Sequence, residues 1–248
     1  MELRVSNPDQ EKLVRKLESI AVLSAEDREA LLGLPLSVKG YAADQTIVFE
    51  GERPHQCCLV LTGFLCRFKD LPNGGRQIMS FHIPGDIPDL QSLHLKVMDH
   101  SLAAVEPSKV AFIPHRALLD LAARHPALAA AFWRETLIDG AIFREWLTGV
   151  GRRSSYARIA HLFCELFIKF QAVGLAEEDG FRLPLTQNEI GDALGLSTVH
   201  VNRVMQELRK DGLIASRGKF LHIEDWAGLK QAGEFDPTYL HMDAAEVA

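Results

Sequence analysis

Apolar positions divide the chain into three regimes. From about Asp9 to Leu34, Leu13, Leu17 and Ile20 recur at helical spacing, and Ser24 stands where it would cap a helix over Glu26 to Leu32. Two short helices are expected there. From about Leu36 to Pro114 the apolar residues shorten into runs such as TIVF, CCLVLTGFLCRF, IMSFHI and VAFI, parted by the turn-forming clusters GYAADQ, EGERPH, PNGGR and PGD. Short strands at such spacing predict a β-sandwich, barrel or roll, with the NGG of residues 73–75 as its clearest hairpin turn. From Arg116 to about Phe170 the pattern is helical again.

Within that helical region, Ala129, Trp133, Thr136, Gly140, Phe143, Leu147 and Val150 form a stripe whose steps alternate four and three, the spacing of a coiled-coil seam. A second apolar edge, Leu128, Phe132, Ile142 and Trp146, is expected to face the β region. A helix with two apolar edges needs two partners, and a second copy of itself would satisfy the seam; the alternative is a helix buried within one chain. GVGRRSS at 149–155 reads as a hinge, followed by a helix from about Ser155 to Phe170 and a solvated loop, AVGLAEEDG. Phe181 to Leu185 is expected as a short strand, and the tail after Ile223 as a short helix that ends loosely.

Local signals are densest in TQNEIGDALGLSTVHVNRVMQELRK, residues 186–210. Thr186 followed by Glu189 is a capping-box pair, and Gly195 supplies a left-handed stop. Ser197 caps a second helix whose inner stripe is Val201, Val204, Met205 and Leu208. Its outer face carries Thr198, Val199, Asn202, Arg203 and Gln206, with no carboxylate before Glu207. Side chains of that kind suit the groove of a DNA duplex. The following DGLIASRGKFLHI reads as a hairpin with a basic tip, a wing whose Arg217 and Lys219 can touch phosphate. Thr198 and His200, near the start of the second helix, are placed for phosphate, and Thr186, Gln187 and Ser197 complete the DNA-facing set. The structural alternative is an αα-corner inside a helical domain.

Composition changes this picture little. The 248 residues suffice for two ordinary domains, and no apolar run reaches the length of a membrane span. The polar N-terminus is no secretory signal, so a cytoplasmic protein without membrane partners is expected. The net charge of −6 hides a positive second helix and wing, set against a more acidic tail. Cys57, Cys58, Cys66 and Cys164 include no Cys-x-x-Cys pair, so buried reduced thiols are expected and no metal site is. Alternation on a strand would leave one of Cys57 and Cys58 in the core and the other partly exposed.

Together the β-roll, central helix and winged motif resemble the Crp–Fnr family of transcription regulators, over about Ala21 to Ile223 and most firmly in LTQNEIGDALGLSTVHVNRVMQELRKDGLI. The resemblance implies an α+β fold: an N-terminal β-roll of the cyclic-nucleotide-binding jelly-roll kind, a long central dimerisation helix and a C-terminal winged helix-turn-helix. Domain bounds of 1–125, 126–151 and 152–225 follow, with a tail over 226–248. It also implies a homodimer on a palindromic double-stranded operator with half-sites ~34 Å apart, and RNA polymerase as partner if the protein activates. The family's best-known members begin the recognition helix with an arginine and a glutamate, where this chain has Thr198 and Val199. Arg203 remains as a guanine reader, with Asn202 and Gln206 as adenine readers.

The family's cyclic-nucleotide site would fall at Gly85, Asp86, His100 and Ser101, but its phosphate arginine is missing, Pro88 lacks an N–H, and Asp89 and Asp99 add negative charge. No cysteine precedes Cys57, which excludes the N-terminal iron–sulfur cluster of other members. Cyclic AMP is therefore not expected, and the sequence requires no cofactor. Histidines 82, 94, 100, 115 and 125 leave haem open as a weak reading, since a lone histidine is more often a surface or hydrogen-bonded residue. The competing function is a ligand-binding regulatory subunit whose helix-turn-helix contacts protein. An enzyme is not expected, because no phosphate loop, nucleophile elbow or metal-spacing motif appears.

Overall fold

A computed structural model of the chain describes residues 7–242. Those residues divide into two compact units, one of residues 7–69, Ser80–Gly140 and 241–242, the other of Asp70–Met79 and Ala141–Leu240. No helix among the described residues is long and apolar enough to cross a membrane.

The first unit opens with α1 (Asn7–Glu18) and α2 (Ala25–Leu32). Leu13, Leu17 and Ile20 are buried, and Ser24 and Asp27 form a reciprocal capping box at the start of α2. The strands that follow make two antiparallel sheets. One orders β1 (Ser37–Tyr41), β7 (Ser108–Pro114) and β3 (Gln56–Thr62) as β1-β7-β3. The other orders β2 (Thr46–Val48), β6 (Ser101–Ala104), β4 (Leu65–Asp70) and β5 (Arg76–His82) as β2-β6-β4-β5. Val48, Cys58, Val60, Leu65, Leu102 and Val110 pack as one cluster, the core expected of a roll.

Cys57 departs from the alternation rule. Both it and Cys58 are fully buried, because a 3-10 turn at Leu90–Leu93 covers the second face of β3. The Cys57 Sγ lies 3.5 Å from Ser92 Oγ and 3.7 Å from the Asp89 carbonyl oxygen. Burial pushes both thiols well above their ordinary range, which keeps them protonated and unreactive.

After α3 (His115–Arg124) comes α4 (Pro126–Arg152), within which the division between the units falls. The expected hinge is narrower than GVGRRSS: Gly149 to Arg152 stay helical, and Arg153 N–H still donates to Gly149 O. Only Arg153 and Ser154 interrupt the helix, and Ser154 caps α5 (Ser155–Ala172) by accepting from Ala157 N–H. The expected second apolar edge of α4 also splits. Leu128 and Phe132 are buried, but Trp146 turns to α5 and donates to both carboxylate oxygens of Glu165, at 3.2 and 3.1 Å.

In the second unit the expected solvated loop holds a strand, β8 (Ala176–Glu177), paired with β9 (Gly180–Arg182). Then come α6 (Gln187–Leu194), α7 (Thr198–Lys210), β10 (Ile214–Arg217), β11 (Phe220–Ile223) and α8 (Trp226–Ala232). The strands form a sheet in the order β10-β11-β9-β8. The tail is tied down further than expected: Phe235 and Leu240 are buried, and Tyr239 Oη, stacked beside His161, donates to Glu165 at 2.7 Å.

Candidate nucleic-acid interface

Local chemistry fixes the helix pair. Thr186 Oγ1 accepts from Glu189 N–H while Glu189 Oε2 accepts from Thr186 N–H at 2.7 Å, closing the capping box of α6. Gly195 ends α6 at φ 66°, a left-handed turn that a β-carbon would strain. Ser197 then caps α7, accepting from His200 N–H. Val201, Val204, Met205 and Leu208 are buried, each contributing about 1.5–3 kcal/mol on transfer from water. That anchored stripe leaves the opposite face of α7 to solvent.

Thr198, Val199, Asn202, Arg203 and Gln206 are all exposed, Val199 at 81 %. The polar members bond only to their neighbours on the same surface: Gln206 to Asn202 at 3.0 Å and Thr198 to Asn188 at 3.4 Å. Arg203 Nη2 lies 3.0 Å from His200 Nε2, and its Nε lies 3.9 Å from Glu207 Oε1. His200 is half-buried, and the same Nε2 stands 2.8 Å from Ser155 Oγ on α5. This link joins residues 45 positions apart and is invisible to local pattern. Gln187 is half-buried and Ser197 exposed, at the two helix starts.

The wing is a two-residue hairpin. Arg217 pairs across from Phe220, leaving Gly218 and Lys219 as its tip, with Gly218 at φ 59°. Arg217 and Lys219 are exposed there, and Arg209 donates to Ser216 Oγ at 3.3 Å, tying the end of α7 to the wing.

On α4, the seam positions Trp133 (68 % exposed), Leu147 (74 %) and Val150 lie open, as does Thr136. Ala129, Gly140 and Phe143 are half-buried. Leu137, beside the seam, is exposed too.

The expected effector residues lie in a different environment. A β-carbon on Gly85, at φ 102°, would come within 2.6 Å of the Lys12 carbonyl oxygen, so α1 closes directly over this turn. Asp86 is buried, accepts from Ile83 N–H, and pairs at 3.5 Å with Lys16, which also meets Glu135 at 3.2 Å. Burial disfavours the Lys16 ammonium, but Glu135 and Asp86 together hold its proton more tightly than usual. His100 is buried with Nδ1 2.7 Å from Asp99 Oδ1 and Nε2 3.4 Å from Gln91 Nε2. Ser101 Oγ accepts from Glu50 N–H. The roll's buried arginine is Arg67, which donates to Asp139 at 2.7 Å and to the Pro88 carbonyl. Asp89 is fully buried; its Oδ1 accepts from Cys58 N–H at 2.7 Å, and burial pushes its carboxyl up to about 7. Sequence reading missed Lys16, Arg67 and Asp139, because only the fold brings them to this region.

A helix pair with a donor-rich outer face, a basic wing and a β-roll defines a DNA-binding transcription regulator with a cyclic-nucleotide-binding-like domain. The comparisons agree. The Crp-like helix-turn-helix domain matches residues 157–232 and the cyclic nucleotide-binding domain residues 38–125. The transcriptional activator protein FnrA of Stutzerimonas stutzeri is 27 % identical over 84 % of each chain. The fumarate and nitrate reduction regulatory protein of Escherichia coli K12 is 26 % identical, over 75 % of this chain and 74 % of that one. FixK2 from Bradyrhizobium japonicum has the same fold, with a TM-score of 0.73 at 24 % identity over 80 % of this chain and 98 % of its own. The chain thus carries the two domains of a Crp–Fnr-type transcription regulator, and these relatives are regulators rather than enzymes.

Proposed function

We propose that the protein acts as a homodimer joined along α4, with α7 of each copy in the major groove of a palindromic operator. The observation that carries this reading is the outer face of α7: five exposed side chains at helical spacing, backed by a fully buried stripe and free of carboxylates before Glu207. Arg203 pairs with guanine, Asn202 and Gln206 read adenine, and Val199 packs against a thymine methyl. Gln187, Ser197, Thr198, Arg217 and Lys219 frame that face and meet phosphate, with Thr186 and His200 beside them. Trp133, Leu147 and Val150 support the dimer, since apolar side chains so exposed on one stripe favour a partner. The domain order is the roll to residue 125, the central helix to 151, the winged motif to 225 and then the tail. A cytoplasmic location suits a regulator of this kind. Several relatives carry the name transcriptional activator, and activation here would engage RNA polymerase.

The roll does not fit a cyclic nucleotide. Lys16 and α1 occupy the side of Gly85 and Asp86, Arg67 is committed to Asp139 and the Pro88 carbonyl, and Asp89 would meet a phosphate with carboxyl oxygens. The effector is of another kind, or control is by abundance.

Footprinting on the promoter upstream of its own gene tests the reading, with Leu147→Asp as the dimer variant. Leu147 is a better position than half-buried Phe143, because its substitution leaves the fold's own core untouched. Expected are a protected palindrome with wild type and a monomer in sedimentation with Leu147→Asp. That monomer should bind the palindrome at least about a hundredfold more weakly, since the second half-site no longer acts at high effective concentration. Absence of salt-sensitive, sequence-selective binding by wild type would overturn the reading.

A further inference from the structure

Arg203 is held before any DNA arrives. His200 sits one turn back on α7, and its Nε2 is 3.0 Å from Arg203 Nη2 and 2.8 Å from Ser155 Oγ. Residues three apart on a helix share a face, so the first contact follows from spacing. The second comes from α5, where Ser155 is the first helical residue after the Ser154 cap. An imidazole nitrogen carries one in-plane lone pair, and a guanidinium can only donate. The contact therefore requires Nε2 without its proton, accepting from Arg203. The Ser155 hydroxyl rotates to share the same acceptor.

The consequence lies in what remains free on Arg203. His200 bonds Nη2 and so takes up one of its N–H groups, while Glu207 Oε1, 3.9 Å from Nε, attracts the cation without a hydrogen bond. Left over are Nε, Nη1 and the second N–H of Nη2. Nη1 with that second N–H is a fork able to meet O6 and N7 of a guanine together. A loose arginine must be ordered when it binds, whereas one already clamped loses less freedom in doing so.

We propose that His200 is a positioning residue for base reading: it clamps the Arg203 guanidinium with its fork directed off the helix, and Ser155 fixes that clamp to the first turn of α5. The proposal rests on the reading of Arg203 as a guanine reader, and it replaces a phosphate role for His200.

The test uses the full-length protein and an operator selected by it from random sequence. Arg203→Ala first identifies the base pair in each half-site whose identity ceases to matter. Discrimination at that pair is then measured as the ratio of Kd values for mismatched and matched operators. His200→Ala should lower it about fivefold, the scale of coupling between contacting side chains, with other positions unchanged. His200→Gln, whose amide oxygen reaches near the place of Nε2, should restore most of it. Ser155→Ala should lower it about twofold by the same coupling, and His200→Ala should add nothing once Arg203 is alanine. Equal weakening on every sequence, with the salt dependence reduced by about one phosphate contact, would overturn the clamp in favour of phosphate binding. Unchanged discrimination in folded His200→Ala would overturn it as well. If Arg203→Ala alters no base preference at all, the reading of Arg203 itself fails and the clamp falls with it.

Discussion

The β-roll and the winged helix-turn-helix treat their polar side chains in opposite ways. In the roll, Lys16, Asp86 and Glu135 meet one another largely out of water, Arg67 is bonded to Asp139 and a backbone carbonyl, and Asp89 has no exposure at all. On α7, Thr198, Asn202, Arg203 and Gln206 stand in solvent and bond only to others on the same surface. Desolvated groups are costly to leave without a partner, while exposed ones exchange their bonds with water at little cost. A charged constellation thus serves the fold where its members pair out of water, and serves recognition where their donors stay available.

The largest effect should come from the roll. Lys16→Met removes the cation between Asp86 and Glu135 while keeping the stem, leaving two carboxylates facing each other. Breaking a buried pair in this way costs about 3–5 kcal/mol, to be read in chemical denaturation at neutral pH. The loss should shrink at pH 5, where the stranded carboxylates can take up protons. A variant as stable as wild type at both pH values would mean that this cluster is solvated after all.

Asp89 sharpens the same side of the comparison through pH. Burial raises its carboxyl from an ordinary 3.8 to about 7, so the folded chain keeps a proton that the unfolded chain has released. The folded state binds the extra proton between those values, so stability falls as pH rises from about 4 to about 7, by at most about 1.4 kcal/mol per unit. Above that range the loss is complete. Asp89→Asn does not titrate, so the difference in stability between wild type and variant should slope across this window and be flat on either side. A flat difference throughout would refute the raised value.

The recognition side should respond on a smaller scale and in a different currency. Arg203→Ala should leave thermal stability within about 0.5 kcal/mol, as surface substitutions do. It should weaken binding by about 1–3 kcal/mol at one base pair of each half-site and relax preference there. A uniform loss across all sequences would move Arg203 to the phosphates.

What local pattern could reveal follows the same divide. The caps at Thr186 and Ser197, the stop at Gly195 and the buried stripe of α7 depend on residues within a turn or two of each other, and all are present. The helical spacing of α4 is legible for the same reason. Features built over long separations were not: Lys16 with Asp86, Arg67 with Asp139, Ser155 with His200. Cys57 defied alternation because a distant 3-10 turn covers its strand. The glycines of 149–151 suggested a hinge, yet the helix continues through them, since a glycine costs a helix only about 1 kcal/mol and the backbone bonds on either side outweigh it. Ala176 and Glu177 looked like loop because a two-residue strand has no period to detect.

The smallest effect tests where the comparison is closest, at Thr186. It is exposed and belongs to the expected DNA-facing set, yet its hydroxyl is already engaged like the groups of the roll. Oγ1 accepts from Glu189 N–H at 3.2 Å and donates to Glu189 Oε2 at 2.8 Å, so donor and acceptor are both occupied within the capping box. Thr186→Ala should therefore cost about 1 kcal/mol of stability, the usual value of an N-cap, and Thr186→Ser should recover most of it. Base discrimination and the salt dependence of binding should both stay at wild-type values. A salt dependence reduced by about one contact would instead mean that the hydroxyl leaves Glu189 for a phosphate when DNA binds. In that event even a satisfied cap can serve recognition, and what separates the two regions is exposure to solvent, with satisfaction in the free protein no longer the deciding property.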